Sequence, residues 1–287
     1  MKKTDTAVAR SVGESRSDQT KKGASAASDL WPGQSQALLK ALHILTHNGG
    51  LNADSRRKLK QVQHLAQLVK PAIDGSLAEK DQPVLADLGA GKSYLGFILY
   101  DLYLRAAGRG KVIAVEARAD LVETGKKIAA ESGFDRLDFV LGKIADAQVG
   151  AVDIVTALHA CDTATDEAIL FALRHDAKFV ALVPCCQAEV ARALDGVKNK
   201  LDQLWRHPIQ RREFASNLTN VIRALYLESQ GYKVRVTELV GWEHAMKNEV
   251  ILAERHQMSN AQARGELLAL LDRLPARPAL VADLKAD

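Results

Sequence analysis

Val84-Leu85-Ala86-Asp87-Leu88-Gly89-Ala90-Gly91-Lys92-Ser93 is the stretch that decides the fold. Its first five residues, apolar except for Asp87, read as a short buried strand. Leu95, Ile98, Leu99 and Leu102 then repeat at helical spacing, so a helix follows the two glycines. Glycine lets the chain bend tightly and approach a ligand, and the next helix offers free N–H groups and a positive dipole end. Strand, glycine loop and helix in this order make a nucleotide or nucleotide-like site.

Two chemistries compete for that loop. Ala86 to Ser93 fits a loosened phosphate-loop pattern, with Ala in place of the first Gly, which points to an NTPase. The same residues fit the D-x-G-x-G loop that holds S-adenosylmethionine (SAM). Asp87 favours the second, because a carboxylate beside phosphate oxygens adds like charge, whereas SAM carries a sulfonium and an ammonium group. Lys111 to Glu116 is a second strand ending in an acid about 25 residues past the loop, where a Rossmann-like fold places its ribose-binding carboxylate. Alone, Glu116 is an ordinary strand end; paired with Asp87 it supports a SAM site, with an NAD-type or purely structural loop as the other reading.

Working outward, the chain alternates strand and helix. A helix over Leu121–Ala130 closes at Gly133, and Leu137–Leu141, Val152–Leu158 and Phe179–Val183 read as third, fourth and fifth strands, with a helix between the last two. Continuous apolar runs alternating with helices imply a parallel sheet covered on both faces. Tyr232–Val240 and Glu249–Ala253 are separated by a short polar connection and should pair antiparallel. The expected fold is therefore α/β: a Rossmann-like, seven-stranded class I methyltransferase sheet of five parallel strands plus a terminal antiparallel hairpin, preceded by a helical preface. The expected division is a disordered basic tail over 1–31, the helical preface over 32–80, the SAM-dependent domain over 81–256, and a C-terminal helix and tail over 257–287.

The fourth strand ends in His159-Ala160-Cys161-Asp162-Thr163-Ala164-Thr165-Asp166 and the fifth in Pro184-Cys185-Cys186-Gln187. Ligands of open parallel sheets sit beyond the carboxyl ends of the strands, so both segments should converge on the loop at Asp87. Asp162 and Thr163 also suit helix N-capping, with Asp166 and Glu167 against the dipole. His159, a polar ring at the end of an apolar strand, is expected to contact a ligand. Together with Asp87-Leu88-Gly89-Ala90-Gly91-Lys92, these segments resemble a family of methyltransferase-like proteins of bacteria and eukaryotes. They are more distantly similar to tRNA ribose methyltransferases that share a histidine-cysteine segment and a cysteine pair.

That resemblance spans about residues 55 to 255 and implies a class I SAM-dependent methyltransferase, with RNA as an acceptor to consider. The expected cofactor-binding set is Asp87, Gly89, Ala90, Gly91, Lys92, Glu116, Ile144 and His159. His159 and Asp162 are the expected catalytic residues, either of which could remove the acceptor proton. No Asn-Pro-Pro-Tyr-type segment follows the fourth strand, which disfavours methylation of an exocyclic base nitrogen and leaves ribose oxygen, ring or protein side-chain acceptors. Alternatives are a catalytically silent SAM-fold module that binds RNA or protein and, less favoured, a phosphate-loop NTPase. His159, Cys161, Cys185 and Cys186 have zinc-compatible chemistry, but adjacent cysteines tend to point apart and a buried free cysteine is a common small hydrophobe; no metal is expected.

Composition bounds the rest. The 287 residues are 47% hydrophobic and 26% charged with a formal net charge of +4, which suits one sizeable core and mildly favours an anionic partner. The first 30 or so residues hold too few large apolar groups to offset the entropy of ordering. No run approaches bilayer length and the Lys-rich start lacks a secretory core, so a cytoplasmic protein with no membrane contact is expected. Three cysteines do not make a disulfide framework. Arg56, Arg57, Lys58 and Lys60 crowd the start of the second preface helix, against its dipole, and Arg206, Arg211, Arg212 and Arg223 accompany Trp205 and Phe214. These two patches, rather than the cofactor pocket, are the expected grip on a nucleic acid. No protein partner is indicated.

Overall fold

The computed structural model describes residues 29–158, 160, 162–184, 188–239 and 249–284. Short β1 (Val84–Leu88), β2 (Lys111–Glu116), β3 (Leu137–Leu141), β4 (Ile154–Leu158) and β5 (Phe179–Val183) run parallel, and β6 (Tyr232–Glu238) and β7 (Glu249–Arg255) form the antiparallel end. The sheet order is β3-β2-β1-β4-β5-β7-β6. This is the expected seven-stranded plan of class I methyltransferases. Strand order reverses between β1 and β4, which opens a crevice at their carboxyl ends.

Helices α1 (Gln36–Ala41), α2 (Ala53–Glu79), α3 (Tyr94–Leu99), α4 (Arg105–Ala107), α5 (Ala119–Glu131), α6 (Thr163–Arg174), α7 (Glu189–Ala193), α8 (Pro208–Ser229) and α9 (Ala261–Leu271) complete the chain. A π-helical turn, Tyr100–Leu104, joins α3 to α4, and Gly108 at φ 68° stops the run where glycine is needed at a helix end. Among the described residues, no helix is long and apolar enough to cross a membrane.

The expected helical preface packs on the sheet: Leu59, Val62, Leu65 and Val69 of α2 share one apolar core with Leu85 of β1 and with Leu95 and Phe97 of α3. At the other end, Leu280 and Val281 are buried in the core that holds Ile169 and Phe171 of α6, so the segment after α9 is part of the fold. Near the start of the described residues, Asp29 receives Arg56 Nε at 3.0 Å and its carbonyl receives Gln63 Nε2 at 3.0 Å. Residues 1–28 lie outside the described residues.

Candidate active site

The glycine loop is held from within. Gly89 and Gly91 take φ of 61° and 58°, and Ser93, fully buried, is left-handed at 50°. Asp87 keeps that turn closed: Oδ2 accepts from Ser93 Oγ at 3.0 Å and from the Gly96 amide at 3.2 Å, and Oδ1 accepts from Thr156 Oγ1 at 3.1 Å. Register explains the last bond, because Asp87 stands opposite Thr156 on β4. Gly96 is required by this closure; a Cβ there would lie 2.5 Å from Ser93 Oγ and 3.0 Å from Asp87 Oδ2. Burial drives the Asp87 carboxyl up to about 6, against the lowering effect of its three donors.

Glu116, at the end of β2, is buried and turned onto the loop. Oε2 accepts from the Gly91 amide at 2.7 Å, while Oε1 accepts from the backbone and side-chain nitrogens of Arg118 at 3.0 and 3.2 Å. A carboxylate has about four acceptor positions, so one remains on Oε2. The Ala90 amide donates to Val115 O at 3.0 Å. A phosphate cradle needs such loop amides free to face oxygens, and here two are committed, one of them to an acid.

Asp87, Gly89, Ala90, Gly91 and Lys92 line one side of a cavity of about 300 Å³, within the ordinary range for small-molecule sites. Arg118 and Leu158 close two further sides. The fourth wall was not foreseen: Lys58, Gln61 and Val62 of α2 face the loop, and Lys58 Nζ sits 3.5 Å from the centre of the Tyr94 ring, which also lines the cavity. Ile144, in a 3-10 turn after β3, lies beneath the loop, with its Cδ1 3.6 Å from where a Gly89 Cβ would be. Ala160 approaches the same point, its Cβ at 3.8 Å. His159, Cys161, Cys185 and Cys186 lie outside the described residues.

Asp162 departs from its expected roles. It does not cap α6; instead Oδ1 accepts from the amides of Ala188 and Glu189 at 2.9 and 3.2 Å, and Oδ2 accepts from Arg192 Nη2 at 3.2 Å. Partial burial would raise its carboxyl, but these donors outweigh it and hold the group below the usual carboxylate range. A carboxylate so occupied and so acidic is a poor proton acceptor. Asp166 likewise does not serve the helix dipole in solvent; it is buried against Arg223 at 2.6 Å.

The two basic patches are also rearranged. Arg223 is 1% exposed, and Trp205 is buried against a partly buried Phe214, so the indole is not available to stack a base. Arg206 pairs with Asp202 at 3.2 Å and Arg211 with Asp195 at 2.6 Å. On α2, Arg56 pairs with Asp29 and Arg57 with Asp54, which supplies the anions its crowded start requires. Among the described residues, Lys58 and Lys60 at the start of α2, Lys92 of the loop and exposed Arg212 of the second patch are in no ion pair, and Lys58 and Lys92 border the cavity.

Residues 57–193 match the family model described as a methyltransferase domain. The match begins in α2 and ends in α7, taking in all the residues that line the cavity. No curated protein matches the chain significantly. Solved structures with similar folds include magnesium protoporphyrin IX methyltransferase from Synechocystis PCC 6803 with bound SAH (14% identity, 76% of this chain and 94% of that one, TM-score 0.44). A methyltransferase from Geobacter sulfurreducens shares 17% identity over 80% of this chain and 93% of that one, TM-score 0.43. An rRNA methylase from Streptococcus thermophilus shares 12% over 68% and 94%, TM-score 0.42. At these scores the likenesses add nothing to the topology already described.

Proposed function

We propose that this chain is a SAM-dependent methyltransferase whose acceptor is RNA. The observation that carries the cofactor is the cavity at the strand-order reversal, walled by a glycine loop that rests on the buried acid Asp87 and whose central amides are already bonded. Glu116 has one acceptor position for a ribose hydroxyl, Ile144 supports Gly89 from beneath, and Asp87 places a negative charge beside a cationic ligand. SAM supplies a methyl group already activated on sulfur. The protein's part is to orient the acceptor and take its proton. With Asp162 engaged elsewhere, His159 is the remaining candidate for that proton.

RNA is favoured by Lys58 and Lys92, which line the cavity and are in no ion pair among the described residues, so that they can meet the phosphates of a polyanion brought to the methyl group. Calorimetry with SAM and with its demethylated product should show binding. Labelled SAM incubated with RNA, protein and small-molecule fractions should label RNA. Replacing Lys58 and Lys92 together by Gln should lower the slope of log affinity against log salt by about 1.4–1.8, at 0.7–0.9 per phosphate contact. ATP binding without SAM binding would refute the cofactor. An unchanged salt slope with label in the protein fraction would refute RNA.

A further inference from the structure

Asp162 has φ 54° and ψ −121°, a conformation that L-residues rarely adopt and that persists only where the surroundings impose it. What imposes it comes from far along the chain. Arg223, in the middle of α8, donates Nη2 to the Asp162 carbonyl at 2.9 Å while its Nε holds Asp166 at 2.6 Å and its Nη1 donates to Asn220 Oδ1 at 3.2 Å. The planar guanidinium satisfies three acceptors at once, a geometry that a lysine cannot reproduce. One residue pair earlier, Thr165 Oγ1 donates to the Ala160 carbonyl at 2.6 Å, so both described residues between β4 and α6 have their carbonyls held by side chains. Asp162 then passes the constraint on, its carboxylate gripping the amides of Ala188 and Glu189 beyond β5.

We propose that Arg223 is a positioning residue for the methyl-transfer site: through Asp162 it ties the chain before α6 to Ala188 and Glu189 at the start of α7, beside Ala160 at the glycine loop. Leu158 lines the cavity and the Ala160 Cβ stands 3.8 Å from the Gly89 position, so a shift at Asp162 is transmitted directly to the cavity edge. The ion pair alone would need only Nε; the second prong, onto a strained carbonyl, is what fixes that tie. This inference rests on the proposed SAM site and adds a residue buried out of reach of cofactor and acceptor.

The test is Arg223→Lys, which keeps the charge for Asp166 and gives up the fork. A second variant, Arg223→Met with Asp166→Leu, fills the buried volume without ions and guards against misfolding of the first. Hydrogen exchange is measured without SAM, alongside SAM affinity and methyl-transfer turnover. Both variants should exchange at least tenfold faster at the amides of 160–163 and 188–190, with β1 and β2 unaltered. Turnover should fall at least tenfold while SAM affinity changes less than threefold. Unchanged exchange in those two segments, or accelerated exchange with full turnover, would overturn the proposal. Wild-type protein that binds no SAM would instead refute the functional reading, and the cofactor-free exchange data tell the two failures apart.

Discussion

Asp87 holds the loop at a cost in stability, and the cost can be measured. Its carboxyl titrates near 6 in the folded chain against 3.8 as a free side chain, because burial penalises the charged form more than three donors relieve it. The folded state therefore binds more protons than the unfolded state between pH 3.8 and about 6. Stability falls as pH rises through that window and levels off above it. A shift of about two units corresponds to ~3 kcal/mol at neutral pH, at 1.36 kcal/mol per unit, and about two-thirds of it develops between pH 4.5 and 7.5. Asp87→Asn mimics the protonated acid: the amide oxygen can accept from Gly96 and Ser93 while the amide nitrogen donates to Thr156. Losing charge-assisted acceptance offsets part of the gain, so the variant should be about 1–2 kcal/mol more stable than wild type at pH 7.5, or roughly 2–6 °C in Tm. The variant's advantage at pH 4.5 should be smaller by about 2 kcal/mol. Urea unfolding of both proteins at the two pH values reads this directly. SAM affinity should move the opposite way, falling roughly tenfold in the variant as a negative charge beside the cation is lost. A stability difference that is the same at both pH values would refute the assignment of the raised carboxyl to Asp87.

Gly96→Ala should destabilise the chain by about 1–3 kcal/mol, since its Cβ would stand 2.5 Å from Ser93 Oγ in a closed turn; thermal unfolding measures it, and wild-type stability would contradict the packing described. Glu116→Ala removes the acceptor of the Gly91 amide along with the free position on Oε2, and should weaken SAM binding by about 1.5–3 kcal/mol in calorimetry. Asp162→Asn keeps an oxygen for the Ala188 and Glu189 amides, so if Asp162 is structural, turnover should keep its pH profile and fall less than about tenfold, whereas loss of the acidic limb with a larger fall would restore it as the proton acceptor.

The sheet was legible because its signals are local. Apolar runs of five or six residues, punctuated by Gly89, Gly91, Gly108 and Gly133, marked β1 to β3 and their helices, and the rule that alternating elements build parallel sheets supplied the order. The short connection before β7 marked the antiparallel end. Of the residues set by such local signals, the glycine loop lines the cavity and Glu116 bonds the Gly91 amide of that loop. What escaped depends on pairing across distance. Asp162 grips a helix start 26 residues on, and Arg223 meets Asp166 across 57. Composition could only register Arg223 as one more cation. Periodicity held a better clue: Thr219, Arg223 and Leu227 recur every four residues on the buried face of α8, so an arginine there had to find an acid inside. The same reasoning applies to α2. Its core stripe of Leu59, Val62, Leu65, Ala66 and Val69 fixes which side meets the sheet, and Lys58 and Gln61 flank that stripe. A cation at the edge of a buried face, near the start of a helix, is placed to overhang whatever the face covers; here that is the glycine loop, and so α2 brings Lys58 to the cavity beside Lys92 and Arg118.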